Sequence, residues 1–186
     1  LIINALTNLA ARYSDPGIVQ TNPPRAMQMI APGKAMIGWQ EPMIIGNRGI
    51  AKPSATNTWQ ALGRELTSVK SDLDSFQSLT NHPVLDFNLN YAEYQNLKLA
   101  HLGWLKISAQ FLGISALYHL HLKDQASACA ELNMMLALVK GDHDERPIVS
   151  QLIRIAMATI AASDTWEILQ EPDVSDDELA QLQLSW

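Results

Sequence analysis

The chain has 186 residues, of which 47% are hydrophobic and 17% charged, and its formal net charge is −6. This length suits one ordinary domain with a sizeable core, and the composition excludes a largely disordered chain. A pI near 5.2 argues against a general nucleic-acid-binding protein, and the single cysteine excludes both an internal disulfide framework and a cysteine-rich zinc site.

The first 57 residues differ from the rest of the chain in charge and in proline content. They carry five basic and two acidic residues, so that the net charge of the remaining residues is −9, and they hold six of the nine prolines. Because proline blocks helix interiors, residues 14–57 cannot form a long helix. Short apolar runs at 26–30, 35–39 and 43–45 predict two or three short strands or extended segments. We expect them to pack, with an N-terminal helix, on a helical body.

From Thr58 onward the apolar residues recur with a helical period. A first amphipathic helix is predicted over 58–79, and it ends before Pro83 because the residue preceding a proline avoids the helical region. Residues 84–91 then alternate apolar and polar, which is typical of an extended connector. The long helix predicted over 92–122 is apolar around much of its circumference, so we expect it to have neighbours on at least two sides.

Three further helices are predicted after this long one. The first covers 124–139 and ends at Gly141, the second has Pro147 in its first turn, and the third covers 179–186 behind a capping box that starts at Ser175. The second of them shows a stripe that we expect to face the core, formed by Ile148, Leu152, Ile155, Ala162, Trp166 and Leu169.

The predicted fold class is mainly α, with antiparallel helical hairpins and a short extended or β segment near the N terminus. The hairpins would form either an array like that of tetratricopeptide repeats or a bundle, although the strict repeat pattern does not fit residues 104–140. Residues 1–57 are predicted to be an N-terminal helix plus a proline-rich segment packed on the body. Residues 58–186 are predicted to be the helical-hairpin domain.

The densest polar cluster, residues 142–145, admits two interpretations. Its carboxylates and histidine could hold a divalent cation, but the spacing lacks the ligand positions of an EF-hand. Acids at a helix N terminus satisfy free amides and oppose the helix dipole, so we favour capping by Asp142, Asp144 and Glu145. His119 and His121 lie on different sides of a helix and cannot share a metal. The sequence therefore predicts no metal and no cofactor.

Three residues are candidates for a binding surface. Gln151 and Arg154 lie one turn apart on a mostly apolar helix, where they either form a recognition patch or hydrogen-bond a neighbouring loop or helix. Trp39 stands among methionines, which beside an aromatic ring either form an adaptable binding surface or pack on the helices. There is no motif for nucleophilic catalysis or for phosphate binding, and Cys129 falls on the packing face of its helix.

Several segments resemble one uncharacterised family of large bacterial proteins. The segments that carry this resemblance are 22–27 (NPPRAM), 31–35 (APGKA), 84–91 (VLDFNLNY), 147–156 (PIVSQLIRIA) and 165–167 (TWE). Members of that family are longer at both ends and have an N-terminal hydrophobic segment, so the resemblance implies an anchored, extracytoplasmic protein. It implies no activity, cofactor or catalytic residue. Because residue 1 is Leu rather than Met, we expect a segment upstream of it.

The function that we expect is that of a helical scaffold or protein-interaction domain of an extracytoplasmic bacterial protein, without catalysis. A protein partner is possible, whereas nucleic acid is excluded by charge. Membrane contact by these residues is not expected, because no apolar stretch approaches the ~18 residues of a span. Two alternatives remain open. One is a small-molecule or lipid-binding domain with a crevice beside the long helix, and the other is part of an enzyme whose site is completed outside this segment.

Overall fold

The structure, a computed structural model, describes residues 1–12, 19–21, 37–39, 59–141 and 145–186. Helices dominate this part of the chain, so the prediction of a mainly helical fold is confirmed. The α-helices are α1 (Ile2–Arg12), α2 (Trp59–Asp74), α3 (Ala100–His121), α4 (Gln125–Gly141), α5 (Ile148–Leu169) and α6 (Asp176–Ser185).

Two short strands, β1 (Val19–Thr21) and β2 (Ile37–Trp39), form an antiparallel pair in which Val19 lies opposite Trp39. Strand β2 falls within one of the three apolar runs that the sequence singles out, 35–39. The other two runs, 26–30 and 43–45, lie outside the described residues.

The two predicted helices that flank the connector are shorter than their apolar patterns suggest. The first ends as a 3₁₀ helix, Ser75–Thr80, which continues α2. The second was expected from residue 92, but a separate 3₁₀ helix, Tyr91–Asn96, precedes α3, which begins only at Ala100. Between them the chain forms no regular secondary structure and turns at Asn88, whose φ is 53°, so the predicted extended connector is interrupted there. The amide of Leu85 donates to the carbonyl of Gly141 at 3.2 Å. The connector therefore lies against the end of α4.

Helix α3 is the centre of the fold, because α1, α2, α4 and α5 all pack against it. This confirms the expectation that it has neighbours on several sides. Its buried side chains join those of the other helices in one hydrophobic core, whose largest fully buried members on α3 are Leu105, Phe111, Leu112, Ile114 and Leu120.

The two glycines inside α3, Gly103 and Gly113, have different surroundings. A glycine inside a helix costs about 1 kcal/mol relative to alanine, so the sequence predicts close helix approach at both positions. A Cβ on Gly113 would overlap the carboxylate of Asp164 on α5, which confirms the close approach there. Gly103 is exposed, and a Cβ on it would meet no atom within 4 Å, so the prediction is wrong for this position.

The ends of the later helices follow the capping signals of the sequence. At the start of α6, the hydroxyl of Ser175 accepts from the amide of Glu178 at 3.3 Å, and the carboxylate of Glu178 accepts from the amide of Ser175 at 2.8 Å. This is the predicted capping box. The carboxylate of Asp124 caps α4 by accepting from the amide of Ser127 at 3.1 Å.

Helix α5 faces the core with the opposite side from the one that the sequence predicts. Ile148, Leu152 and Ile155 are 80%, 59% and 60% exposed, whereas the buried residues of α5 are Ser150, Met157, Ala161, Asp164, Glu167 and Ile168. The prediction of the core stripe is therefore wrong. The physical reason is that three polar side chains of this helix are accommodated inside, where α3 and the residues before α5 provide space and partners for them.

Candidate functional site

The outer face of α5 is the most unusual surface of the described residues. We define it by six positions on one side of the helix: Ile148, Leu152, Ile155, Thr159, Ala162 and Trp166. None of them is charged, and the first five are exposed. A surface helix ordinarily buries its apolar residues and exposes its charged ones, whereas α5 leaves this apolar stripe exposed and buries Asp164 and Glu167 beside Met157 and Ile168. Contiguous exposed apolar surface of this kind is typical of an interaction site.

The inner face of α5 carries two carboxylates toward α3. Asp164 is 1% exposed, its Oδ2 has no hydrogen-bond partner among the described residues, and it lies where Gly113 leaves room for it. Burial, together with the smaller effect of the neighbouring carboxylate of Glu167, raises the pKa of Asp164 to about 8. Burial also raises the pKa of Glu167. Asp164 is therefore largely protonated at neutral pH, which is what permits it to lie inside the protein.

A third buried acid lies on α4. The hydroxyl of Ser115 donates to Glu131 Oε1 at 2.8 Å, and burial raises the pKa of Glu131 to about 7 against the lowering effect of this hydrogen bond. Glu131 and Asp164 sit on different helices, and both contact α3 through a small residue. The core thus contains acids that have no cationic partner among the described residues.

A polar junction forms where the chain enters α5, and it is built on the carboxylate of Glu145. The hydroxyl of Ser150 donates to Glu145 Oε2 at 2.6 Å, and the side chain of Gln151 donates to the backbone carbonyl of Glu145 at 2.7 Å. Glu145 Oε1 lies 2.7 Å from His101 Nε2, outside hydrogen-bond geometry. Phe87 stacks on the imidazole of His101, with 4.3 Å between ring centres. The junction fixes the connector, α3 and α5 to one another.

The junction corrects the expectation that Glu145 caps a helix. Its carboxylate contacts the side chains of Ser150 and His101, and the N-cap residue of α5 is Pro147, which makes no side-chain capping bond. The other two acids of the cluster, Asp142 and Asp144, lie outside the described residues, so their capping role stays a prediction. Among the described residues, no group of three or more potential ligands comes together to hold a metal ion.

The order of contacts in the junction does not activate a nucleophile. In a serine hydrolase the hydroxyl donates to the histidine, which accepts its proton, and the carboxylate orients the histidine. Here the carboxylate of Glu145 stands between Ser150 and His101, so that the hydroxyl has no histidine base beside it. The arrangement suits a structural connection between three segments.

Two clefts open on the surface of the described residues. One, of about 360 Å³, lies along the connector and is lined by Leu85, Phe87, Tyr91 and Glu145 among others. At its edge the guanidinium of Arg146 lies 5.5 Å from the centre of the Tyr91 ring. The other cleft, of about 480 Å³, lies between α4 and α6 and has mostly polar side chains along it. Each is half open to solvent, and neither contains converging catalytic groups.

Of the three residues that the sequence nominated for binding, two lie on α5 and one on β2. Gln151 is half-buried and tied to the junction, and Arg154 is half-buried one turn further along α5, on the side of the helix that carries Ala161 and Ile168. Trp39 lies in β2, and its side chain is outside the described part. Cys129 is buried on α4 as predicted, and burial raises the pKa of its thiol to about 11, so it is unreactive.

The sequence reasoning identified the apolar stripe of the outer face but placed it in the core, although a signal for the opposite orientation was present. Ser150, Asp164 and Glu167 recur on one side of the helix. Gly113 of α3 leaves room for the carboxylate of Asp164, so that this polar side can lie inside. Polar residues at helical spacing are ordinarily assigned to the solvent side, which reversed the two faces.

No family model, curated protein or solved structure matches this chain. Among the described helices, none has both the length and the apolar content that crossing a membrane requires.

Proposed function

We propose that this chain is a protein-interaction domain that binds a partner helix through the outer face of α5. The observation that carries the proposal is the inverted polarity of α5, which exposes Ile148, Leu152 and Ile155 while Asp164 and Glu167 are buried. Burying acids costs free energy that a helix turned the other way would not spend. An orientation retained at this cost is explained when the apolar side is needed outside.

A membrane surface is a poorer occupant of this face than a protein. Helices that lie in a membrane interface carry lysine or arginine beside the apolar face, to meet anionic lipids. The only basic residue of α5 is Arg154, and the net charge of the whole chain is −6. Charge thus opposes adsorption to an anionic bilayer.

An enzyme and a small-molecule-binding domain are less well supported by the contacts. The polar junction has no activated nucleophile. The buried acids Glu131 of α4 and Asp164 of α5 pack against different residues of α3, Ser115 and Gly113, rather than lining a shared cleft. The cleft along the connector would be the site of a small ligand, and it is an open cleft lined by the exposed Val84 among others rather than an enclosed apolar cavity.

Two finer proposals accompany this function. We propose that the helices form antiparallel hairpins comparable to those of tetratricopeptide arrays, supported by the short turn at 122–124 between α3 and α4 and by the packing of α5 on both. We also propose an extracytoplasmic location, supported by the resemblance of segments such as 22–27 and 84–91 to an anchored bacterial family. Protease added to spheroplasts, in which only the cytoplasmic membrane is intact, tests this periplasmic or membrane-anchored location, and protection until the spheroplasts are lysed would contradict it.

A photo-crosslinker tests the proposed function in the cells that produce the protein. Benzoylphenylalanine placed at Ile155, on the outer face, is expected to give a protein adduct on irradiation. The matched control is the same replacement of Leu184, which is 83% exposed on α6 and outside the outer face. Adducts at Ile155 and not at Leu184 support the proposal. Absence of any adduct at Ile155, or equal adducts at both positions, would contradict it.

A further inference from the structure

We infer that the outer face of α5 pairs with the same face of a second copy of this chain, with the two α5 helices antiparallel. The inference rests on the proposed function and names the partner of that same surface. It follows from three properties of the outer face, which are its repeat, the sizes of its side chains and its lack of charge.

The repeat of the outer face is that of a two-helix seam. Its positions, continued to Leu169, are separated alternately by four and three residues from 148 to 169, which is a period of 3.5. A seam with this period keeps facing a partner helix that crosses at a shallow angle, whereas a straight helix packed on a globular core drifts from it. Ser150, Met157 and Asp164, on the far side of the helix from the seam, are buried against the body. The seam therefore points directly away from the protein.

The sizes of the side chains select the antiparallel orientation. Large residues occupy the first half of the seam, Ile148 to Ile155, and small residues, Thr159 and Ala162, follow them. In a parallel pair, Ala162 would lie opposite Ala162 of the partner subunit and leave a gap. In an antiparallel pair, Leu152 lies opposite Ala162 of the partner subunit, and Ile155 opposite Thr159 of the partner subunit. Large side chains then fill the space beside small ones in the middle of the seam, and Ile148 lies opposite Trp166 of the partner subunit at each end.

The residues beside the seam impose no charge repulsion on two identical faces. On one side they are Val149, Ala156 and Ser163, and on the other side Gln151, Ala158 and Thr165. Charges at these flanking positions are the usual means by which helices select or reject partners, and here there are none. Arg154 points further round the helix, toward neither copy of the seam. Self-pairing is thus unopposed.

The exposed area is sufficient for a weak, specific dimer. Five large apolar residues of α5, with exposures from 39% to 80%, offer roughly 500 Å² per copy, or about 1,000 Å² in the pair, near the lower limit for specific interfaces. They are Ile148, Val149, Leu152, Ile155 and Leu169. Such an interface corresponds to dissociation at roughly micromolar concentrations, so association is expected to depend on concentration.

Sedimentation velocity of the purified chain, from about 1 µM to 500 µM, tests for this dimer. We expect a shift from monomer to dimer over that range, and a loss of at least about 100-fold in affinity for Ile155→Glu, since the substitution buries a charge in each half of the seam. Leu184→Glu makes the same change on α6 and is expected to leave the dimer intact. Circular dichroism confirms that both variants fold, which is expected because both positions are exposed.

Disulfide trapping tests the orientation. Leu152→Cys and Ala162→Cys, made as separate variants and mixed, are expected to form a covalent dimer on oxidation, whereas neither cross-links alone. The native Cys129 is buried and does not interfere. Cross-linking of Ala162→Cys with itself would overturn the antiparallel pairing. A chain that stays monomeric throughout the range, or a dimer that Ile155→Glu leaves unchanged, would overturn the inference.

These results separate the inference from the proposed function. A monomer in solution, combined with an adduct at Ile155 in cells whose mass differs from twice 20.6 kDa, means that the outer face binds a different protein. The proposed function then stands, and the inference that the partner is a second copy of this chain is wrong. Absence of adducts of any mass contradicts both.

Discussion

Replacing Asp164 with asparagine is expected to remove a large part of the pH dependence of stability between pH 5 and pH 8. The carboxyl group is buried beside Gly113, and burial raises its pKa from 3.8 in the unfolded chain to about 8 in the folded protein. Between these values the folded state binds a proton that the unfolded state has released, so the free energy of unfolding falls as pH rises. Below pH 4 both states are protonated, and the penalty disappears.

The magnitude follows from the difference between the two pKa values. At 1.36 kcal/mol per pKa unit, the raised pKa of Asp164 lowers the free energy of unfolding by about 5 kcal/mol at pH 8. About 3–4 kcal/mol of this loss develops between pH 5 and pH 8. For a chain of this size the second figure corresponds to a fall of roughly 10 °C in Tm. Burial likewise raises the pKa of Glu131 to about 7 and that of Glu167, so both contribute a slope of the same sign.

Urea unfolding at pH 5, 6, 7 and 8 measures this slope for the wild type and for Asp164→Asn. We expect the variant to gain stability over the wild type as pH rises, because the amide carries no proton to lose. Asp173→Asn is the control, since Asp173 is exposed and keeps its water on folding. A wild-type stability that rises from pH 5 to pH 8, or a variant with an unchanged slope, would refute the placement of Asp164 inside the protein.

Three smaller predictions concern the contacts that hold α5 and α6. Glu145→Ala is expected to lower the free energy of unfolding by about 2–4 kcal/mol, because it leaves the buried hydroxyl of Ser150 without its acceptor. Glu145→Gln retains an acceptor and is expected to cost less. Equal losses of stability for the two variants in urea titrations would contradict this role of Glu145. Gly113→Ala is expected to cost about 1–3 kcal/mol through overlap with Asp164, and the Asp164→Ala background should relieve most of that cost in a double-mutant cycle. Ser175→Ala is expected to cost about 0.5–2 kcal/mol by loss of the capping box, and an unchanged Tm would exclude that contribution.

The helices and their ends could be predicted from the sequence to a large extent. The capping box at Ser175, the stop at Gly141 and the many-sided burial of α3 follow from local chemistry, which a residue pattern records directly. The start of α3 at Ala100 could not be predicted. The apolar period extends further back, whereas the chain forms the separate 3₁₀ helix Tyr91–Asn96 before α3 begins.

The orientation of α5 could not be predicted, because periodicity identifies a face without saying what it faces. Both sides of this helix have a continuous stripe, one with Ile148, Leu152 and Ile155 and one with Met157, Ala161 and Ile168. The choice between them depends on residues far away in sequence. Gly113 leaves room for an acid, and His101 meets Glu145 at the junction, so the polar stripe can lie inside. The exposure of the outer face of α5 is therefore apparent only from the tertiary structure.

Methyl-resolved NMR of a dilution series tests most directly whether the chain binds a second copy of itself through the outer face of α5. Spectra of isoleucine-, leucine- and valine-labelled protein are compared from about 500 µM to 10 µM. We predict that the methyl signals of Ile148, Leu152 and Ile155 move with concentration, while those of the exposed Leu184 and the buried Leu132 stay in place. Signals of the outer face that do not move, or shifts at Leu184 instead, would contradict the account.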